Sequence, residues 1–257
     1  NIRTSMIVWR ELFFRAGVYK PDPAQSAVWN RGAYLVEGLG HCSSCHSPRN
    51  LMGAIKDSKA YTGSVIDGWY ALNITSNPLT GLGKWSAEDI ARYLKTGSFK
   101  DKTTVFGPMA EVVHNSTGQM TDADLLAMGT YLKTIPSNSS LSENRKKVDA
   151  THLAGAKLYI DNCSGCHQSS GRGITNVIPP LAGNPVVMAE KPNNIIKVML
   201  EGIKQRDGYI AMPSYAANLN NEEILEISNY VRSSWGNGAD PNVTKSLVES
   251  IRKNPTP

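Results

Sequence analysis

The sequence of 257 residues lacks several features that would point to common functions. It contains no run of about 18 or more apolar residues, so it predicts no transmembrane helix. No segment alternates between apolar and polar residues as a half-buried strand does, which argues against a sheet-rich fold. A nucleotide-binding glycine loop, a flavin motif and a Ser-His-Asp set are also missing, so the sequence predicts none of these catalytic centres.

The chain has few features of a nucleic-acid-binding protein, although 27 Lys and Arg against 22 Asp and Glu give it a formal net charge of +5. Its basic residues are scattered apart from Arg145-Lys146-Lys147, which indicates a solvated surface. Only 40% of the residues are hydrophobic, and a large apolar cofactor would supply part of a core. The first residue is Asn1 rather than Met, from which we expect a processed or truncated chain.

All four cysteines lie in two copies of one pattern, Cys-x-x-Cys-His. The copies are Cys42-Ser43-Ser44-Cys45-His46 and Cys163-Ser164-Gly165-Cys166-His167. Two thiols one helical turn apart can add to the two vinyl groups of a porphyrin, and the adjacent histidine can then bind the iron. The pattern therefore predicts two covalently attached c-type haems. Their expected attachment points and proximal ligands are Cys42, Cys45 and His46 for the first, and Cys163, Cys166 and His167 for the second.

Other uses of paired cysteines fit less well. A thioredoxin-like redox pair belongs to a βαβ unit, and no such pattern surrounds either motif. The separation between Cys42 and Cys163 is far greater than the spacing of a zinc ribbon. Disulfides would not require a histidine after each pair. Haem attachment is the preferred interpretation.

Each motif lies in a similar series of helical segments, which indicates a tandem duplication. A helix containing Gly32 or Gly155 precedes each motif, and a middle and a last helix follow it. Ser86 and Asn193 are the candidate N-caps of the two middle helices. We therefore predict a mainly α fold of two tandem haem-binding domains with long loops around the haems.

The change from helical pattern to polar, Ser/Asn-rich sequence predicts where these units begin and end. The expected divisions are residues 1–20 as an N-terminal apolar segment, 21–137 as the first domain, 138–149 as a linker, 150–240 as the second domain and 241–257 as a C-terminal tail.

Two methionines are candidates for the sixth iron ligand, which in electron-carrying haems is often Met. Met109 and Met212 each have a neighbouring proline, and we place both in irregular chain between a middle and a last helix, where a loop can cross the distal face. The other methionines are better explained as core residues, and Met120 comes just before a predicted helix. The remaining histidines, His41, His114 and His152, stay open as alternatives.

Six stretches of the chain resemble the cytochrome c subunit of bacterial membrane-bound dehydrogenases, those that oxidise alcohols, aldehydes or sugar acids such as gluconate. They are residues 29–42, 45–50, 68–75, 107–113, 179–185 and 232–237. The resemblance covers nearly the whole chain and implies the last two of the three haem domains of that family. The implied fold is two tandem class I cytochrome c domains.

The resemblance also implies roles for individual residues. Met109 and Met212 are the implied distal ligands, in agreement with the choice made from the loops. The implied haem-lining residues are Arg49, Trp69 and Asn73 at the first haem and Pro180 and Leu181 at the second. The carbonyl of Pro179, twelve positions after His167, is implied to orient that imidazole. The first half has Ser58 at the same offset, so the partner of His46 stays open.

These implications lead to a functional expectation: a periplasmic electron-transfer subunit at the outer face of the cytoplasmic membrane. Its expected donor is a catalytic dehydrogenase subunit, and quinone and a further cytochrome are both open as acceptors. The apolar opening segment fits contact with a partner, peripheral contact with a membrane, or packing onto its own domains. The alternatives are a stand-alone dihaem shuttle and a dihaem peroxidase or thiosulfate-oxidising enzyme.

Overall fold

The computed structural model describes residues 3–99, 103–137, 153–205 and 208–255, and these residues form a mainly helical fold. The expected linker 138–149 and His152 lie outside the described residues. In the first half the helices are α1 (Ser5–Phe13), α2 (Ala27–Ala33), α3 (Ser43–His46), α4 (Ala87–Thr96), α5 (Gly107–Asn115) and α6 (Asp122–Leu132). In the second half they are α7 (Leu153–Asn162), α8 (Ser164–His167), α9 (Asn193–Glu201), α10 (Asn221–Ser233) and α11 (Lys245–Lys253).

The two halves repeat one helix crossing, and a glycine permits it in each. Helix α2 crosses α6, and a Cβ added to Gly32 would lie 1.9 Å from the carbonyl oxygen of Ala127. Helix α7 crosses α10, and a Cβ added to Gly155 would lie 2.3 Å from the carbonyl oxygen of Glu226. No side chain fits at such distances, so both crossings require glycine. These are the two glycines that the repeat pattern aligned.

Two short hairpins interrupt the helical chain of the first half, and the sequence analysis predicted neither. Strands β1 (Ser64–Ile66) and β2 (Trp69–Ala71) pair antiparallel, as do β3 (Ser98–Phe99) and β4 (Thr103–Thr104). The first hairpin turns through Asp67-Gly68, whose φ angles are 50° and 78°. Asp-Gly with both φ angles positive is typical of a two-residue hairpin turn, and strands of three residues are too short for alternation to reveal.

The core of the second half includes the C-terminal helix. Ile196 of α9 and Ile224 of α10 are fully buried in one apolar cluster, and Val248 and Ile251 of α11 are buried in the same cluster. The segment assigned from the sequence to a separate tail, 241–257, therefore contributes a helix to this core. Each buried aliphatic side chain of this kind stabilises a core by about 1.5–3 kcal/mol.

Helix α9 begins at the residue that was predicted to be its cap. Asn193 is its first residue and Pro192 stands at the N-cap position, so the prediction of Asn193 as the cap is wrong. The predicted cap of α4 is correct, because Ser86 and Asp89 form a capping box there. The side chain of Asn193 instead donates to the carbonyl of Gly68, which belongs to the first half.

The junction between the halves is built from polar groups on β2 and α9. The buried side chain of Asn194 accepts from the amide of Tyr70 and donates to its carbonyl, both at 2.8 Å. Lys197, one turn further along α9, is fully buried, with its ammonium 5.1 Å from the centre of the Trp69 ring. It forms an ion pair of 2.6 Å with Glu201. The first hairpin of one half is thus fixed to the middle helix of the other.

Helix α1 lies apart from both cores. None of its residues is buried, and Met6, Ile7, Val8 and Leu12 are each more than half exposed. The Trp9 indole of α1 donates a hydrogen bond of 2.9 Å to the carbonyl of Met52. Among the described helices, none is both long and apolar enough to cross a membrane.

Candidate haem sites

The first Cys-x-x-Cys-His motif forms one short helical turn, α3, directly after a π-helical stretch at Tyr34–Leu39. The Nδ1 atom of His46 lies 2.6 Å from the carbonyl oxygen of Leu72. Burial lowers the pKa of His46, and the hydrogen bond to that carbonyl partly opposes the effect. With Nδ1 donating to a carbonyl, the imidazole is neutral and its Nε2 is free to bind a metal. Burial also raises the pKa of the Cys42 thiol to about 11.

The carbonyl of Leu72 supplies the partner of His46 that the sequence left open. It follows strand β2 directly, so the hairpin that the sequence did not predict delivers it to the ring. A carbonyl partner of this kind fixes the tautomer and orientation of a ligating histidine. The Asp67-Gly68 turn is the signal that could have revealed the hairpin, although nothing local to Leu72 marks its role.

Two methionines of the first half lie close to the apolar cluster that Cys42 packs against. Met109 and Met120 are half-buried, and both pack against the apolar residues that surround Cys42. Met109 lies in the first turn of α5, so its expected position in irregular chain is wrong. Pro108 precedes it within that turn, where a proline is tolerated because the first helical amides have no intrahelical partner.

The three residues expected to line the first haem have different surroundings. The buried ring of Trp69 packs against Phe106 and against Gly107, two residues before Met109. Asn73 is also buried, and its side chain accepts from the amide and hydroxyl of Thr75 and so shapes the loop after Leu72. Arg49 is exposed.

Arg49 nevertheless contacts α3, the short helix that contains the first motif. Its guanidinium donates to the carbonyl of Ser44, inside α3, at 3.1 Å and to the carbonyl of Gly53 at 2.7 Å. The structure therefore places Arg49 beside the first motif, Trp69 beside the start of α5, and Asn73 beside the loop that carries the Leu72 carbonyl.

The second motif forms the same kind of turn, α8. Its histidine, His167, places Nδ1 3.2 Å from the carbonyl oxygen of Pro179, the contact that the family resemblance implies. Burial lowers the pKa of His167, and the bond to the Pro179 carbonyl opposes the effect. Burial raises the pKa of the Cys163 thiol to about 11. The two histidines thus share one arrangement, although their carbonyl partners come from different structural elements.

A deep cavity opens beside the second motif. It encloses about 1220 Å³, counted out to its open mouth. Every residue that the sequence assigned to the second haem lines it. These residues are Cys163, Cys166, His167, Pro179, Pro180, Leu181 and Met212.

The main chain of Met212 is fixed by hydrogen bonds to Ile203. Its amide and carbonyl exchange hydrogen bonds of 2.9 Å with the carbonyl and amide of Ile203, so the two segments form one bridge. Gly202, with φ of 74°, ends α9 beside this bridge, and a Cβ there would lie 2.5 Å from the Met212 carbonyl. The bridge therefore fixes the main chain of Met212 beside the end of α9, at the wall of the cavity.

The cavity fits a large, mainly apolar ligand held by two thiols and one imidazole. Its wall is predominantly aliphatic and aromatic, with Ile195, Met199 and Ile227 among the side chains that form it. The haem ring has this character, and His167 presents a neutral nitrogen to it. Among the wall residues that the sequence analysis missed are Thr103, Thr104 and Phe106, which come from the first half. No local signal marks them, because only the contact between the halves brings them there.

Comparison with known proteins assigns the family. Residues 153–235 match the model of the cytochrome c family. Over its whole length the chain is 35% identical to the cytochrome c subunit of the quinone alcohol dehydrogenase of Gluconobacter oxydans, covering 58% of that protein. It is likewise 32% identical to the gluconate 2-dehydrogenase cytochrome c subunit of Pantoea cypripedii, covering 63% of it.

A smaller relative is cytochrome c-552 of Thermus thermophilus, 36% identical over 90 residues that make up 32% of this chain and 68% of that protein. The chain spans about three fifths of the length of the dehydrogenase subunits that it matches. The resemblance predicted from the sequence, to cytochrome c subunits of dehydrogenase complexes, is confirmed by these relatives. The chain belongs to the cytochrome c family, whose members carry covalently bound haem c.

Proposed function

We propose that the chain is a dihaem electron-transfer subunit, which receives single electrons from a periplasmic dehydrogenase subunit and passes them toward quinone or another cytochrome. The observation that supports this most directly is the repeated arrangement of the two motifs. In each, a half-buried histidine directs Nδ1 to a backbone carbonyl, of Leu72 or of Pro179. Two histidines with the same hydrogen-bonded orientation fit two irons that have the same function.

The residues of the chain have a limited set of roles in this proposal. Haem supplies the one-electron redox chemistry when it is bound. Cys42, Cys45, Cys163 and Cys166 hold it covalently, and His46 and His167 are the proximal ligands. Met109 and Met212 are the proposed distal ligands. A thioether on the sixth position raises the reduction potential and leaves no site for a substrate on the iron.

The proposed organisation is two tandem class I cytochrome c domains, 21–137 and 150–240, joined by residues 138–149. The repeated glycine crossing supports it, since Gly32 and Gly155 stand at the same place in each half. We extend the second domain to the end of α11, because Val248 and Ile251 belong to its core.

The partner and location are proposed from the relatives. Their names describe cytochrome c subunits of alcohol and gluconate dehydrogenases, which supports a catalytic dehydrogenase subunit as the electron donor. A periplasmic place at the outer face of the cytoplasmic membrane fits this role. The exposed helix α1, with Trp9 and Phe13 in contact at 5.6 Å between ring centres, is the surface that we expect to meet the dehydrogenase or the membrane.

A catalytic dihaem protein is the second candidate. A peroxidase or a thiosulfate-oxidising enzyme requires an open iron or an unusual axial ligand, and the proposed methionines close both irons. A stand-alone dihaem shuttle is the third, and the exposed α1 favours a docked subunit over it.

The proposal is tested by counting haems and measuring turnover. The purified chain should contain about two irons, both retained as haem after denaturation. The double variant Cys42→Ser, Cys45→Ser should keep only one haem, and so should its counterpart Cys163→Ser, Cys166→Ser. Turnover of peroxide or thiosulfate above roughly 1 per second, a typical enzymatic rate, would refute the electron-transfer role. A single iron in the unaltered chain would refute the dihaem assignment.

A further inference from the structure

The cavity of the second site is polar at one end only. Along most of the wall the polar side chains are already bonded to main-chain carbonyls. The Tyr159 hydroxyl donates to one at 2.6 Å and the Tyr215 hydroxyl to another at 3.1 Å. The Asn184 amide donates to a third at 2.9 Å. The two tyrosine hydroxyls thus use their single donor within the protein, and the Asn184 side chain also accepts from the Val186 amide at 2.9 Å.

Four further polar side chains line the cavity, two from each half. Thr103 and Thr104 come from strand β4 of the first half, and Lys204 and Tyr209 come from the second half. The Thr104 hydroxyl is buried and has no hydrogen-bond partner among the described residues. The buried Tyr209 hydroxyl has a long contact of 3.4 Å to the Ser98 hydroxyl.

A buried hydroxyl without a partner is unfavourable by about 1–3 kcal/mol, and such groups are rare in native proteins. Thr104 faces a cavity whose proposed occupant carries two carboxylates on one edge. The free donor of Thr104 and the cation of Lys204 match a carboxylate, and the rest of the wall matches the apolar ring.

We propose that a propionate of the second haem is bound at this junction, by the Thr104 hydroxyl and the Lys204 ammonium, with Thr103 and Tyr209 beside them. This rests on the proposed attachment of a haem to Cys163 and Cys166. The second haem site is then composite: its ring and iron are held by the second half, and its carboxylate edge by both halves.

Contacts within the first half and across the junction hold Thr104 at the cavity wall. The β3–β4 hairpin, from which Thr104 comes, packs against α4, and its Ser98 contacts Tyr209 across the junction. Phe106, two residues after Thr104, lines the same cavity. The bonds between Asn194 and Tyr70 hold the halves together nearby. The donor is therefore fixed before the ligand arrives, which limits the entropy lost on binding.

The test is the variant Thr104→Val, which keeps the shape of the side chain and removes only the hydroxyl. Its matched control is Ser234→Ala, since the Ser234 hydroxyl is also buried without a partner but lies outside the cavity wall. Reduction potentials of both haems are measured in the full chain, together with redox-difference infrared spectra of haem labelled with ¹³C in its propionate carboxylates. The wave of the second haem is identified by its loss in Cys163→Ser, Cys166→Ser.

Removing a donor from an ionised propionate leaves its negative charge less compensated, which favours the ferric state. Thr104→Val should therefore lower the potential of the second haem, shift one labelled carboxylate band and leave the first haem unchanged. Ser234→Ala should change neither haem. Lys204 is exposed, so Lys204→Met tests the same carboxylate without altering the core, and it should move the potential in the same direction.

Unchanged potentials and carboxylate bands in both Thr104→Val and Lys204→Met would overturn the composite site. If Thr104→Val does not fold, the test rests on Lys204→Met alone. Unchanged potentials and carboxylate bands in that variant would also overturn the composite site. A chain with one haem or none would instead contradict the proposed dihaem function, and the iron count separates that result from failure of the composite site.

Discussion

The amide of Asn194 is the most specific contact between the two halves, and its removal has a calculable effect. Its oxygen accepts from the Tyr70 amide and its nitrogen donates to the Tyr70 carbonyl, both at 2.8 Å, and the residue is 3% exposed. Asn194→Ala deletes two hydrogen bonds worth about 1 kcal/mol each and leaves two buried main-chain groups unpaired. We expect the free energy of unfolding to fall by about 2–4 kcal/mol.

The loss of stability in Asn194→Ala should be measurable for the whole chain and at the Tyr70 amide. Denaturant unfolding gives the change in stability, and native-state hydrogen exchange reports the Tyr70 amide directly. A loss of about 2 kcal/mol corresponds to exchange that is roughly 30-fold faster, at about 1.4 kcal/mol for each factor of ten. The control is Asn115→Ala, at the exposed end of α5.

Two results would refute this reasoning. The first is an Asn194→Ala chain that unfolds within about 0.5 kcal/mol of the unaltered one, the range of an ordinary surface substitution. The second is unchanged exchange at Tyr70, which would mean that another group protects this amide. Either outcome would remove the structural basis for a fixed junction between the halves.

Three further predictions concern other parts of the chain. Glu201→Gln should destabilise by about 3 kcal/mol, because the fully buried ammonium of Lys197 loses its carboxylate, whereas Lys197→Met removes the buried charge and should change stability by less than about 1 kcal/mol. Ile251→Ala should cost about 2–4 kcal/mol in denaturant unfolding, because α11 belongs to the core. Met212→Ala should abolish the near-infrared sulfur–iron band of one haem only and lower its potential.

Each of these has a clear contrary result. If Glu201→Gln and Lys197→Met changed stability equally, the ammonium of Lys197 would be solvated. A chain cut after residue 244 that unfolds like the intact chain would show α11 to be an appendage. Loss of the sulfur–iron band in Met120→Ala but not in Met109→Ala would assign the first iron to Met120, which packs against the same cluster.

The sequence predicted the parts of the sites that are local. The Cys-x-x-Cys-His turns need only neighbouring residues, and the offset from His167 to Pro179 lies within one loop. The second cavity brings together every residue expected there, because all of them come from one half of the chain. The Ser86 capping box is likewise a local pattern.

Three of the missed features depend on contacts between segments that are distant in the sequence. Leu72 reaches His46 only after a hairpin forms, and Thr104 reaches the second cavity only after the halves meet. Asn193 has the composition of a helix cap, but a hydrogen bond to Gly68 uses its side chain instead. A hydrogen-bonding side chain near a helix start can serve the helix or a neighbouring segment, and sequence alone does not distinguish them.

Strand β2 connects the junction to the first iron site over a very short distance. The main chain of Tyr70 is held by Asn194, and the carbonyl of Leu72, two residues later, accepts from His46. Two strand residues span about 7 Å, and peptide units do not stretch. A small rotation of one half against the other is therefore transmitted to the imidazole of the first site. We expect a partner that docks on the second half and rotates it against the first to move the Leu72 carbonyl, and with it the imidazole of His46.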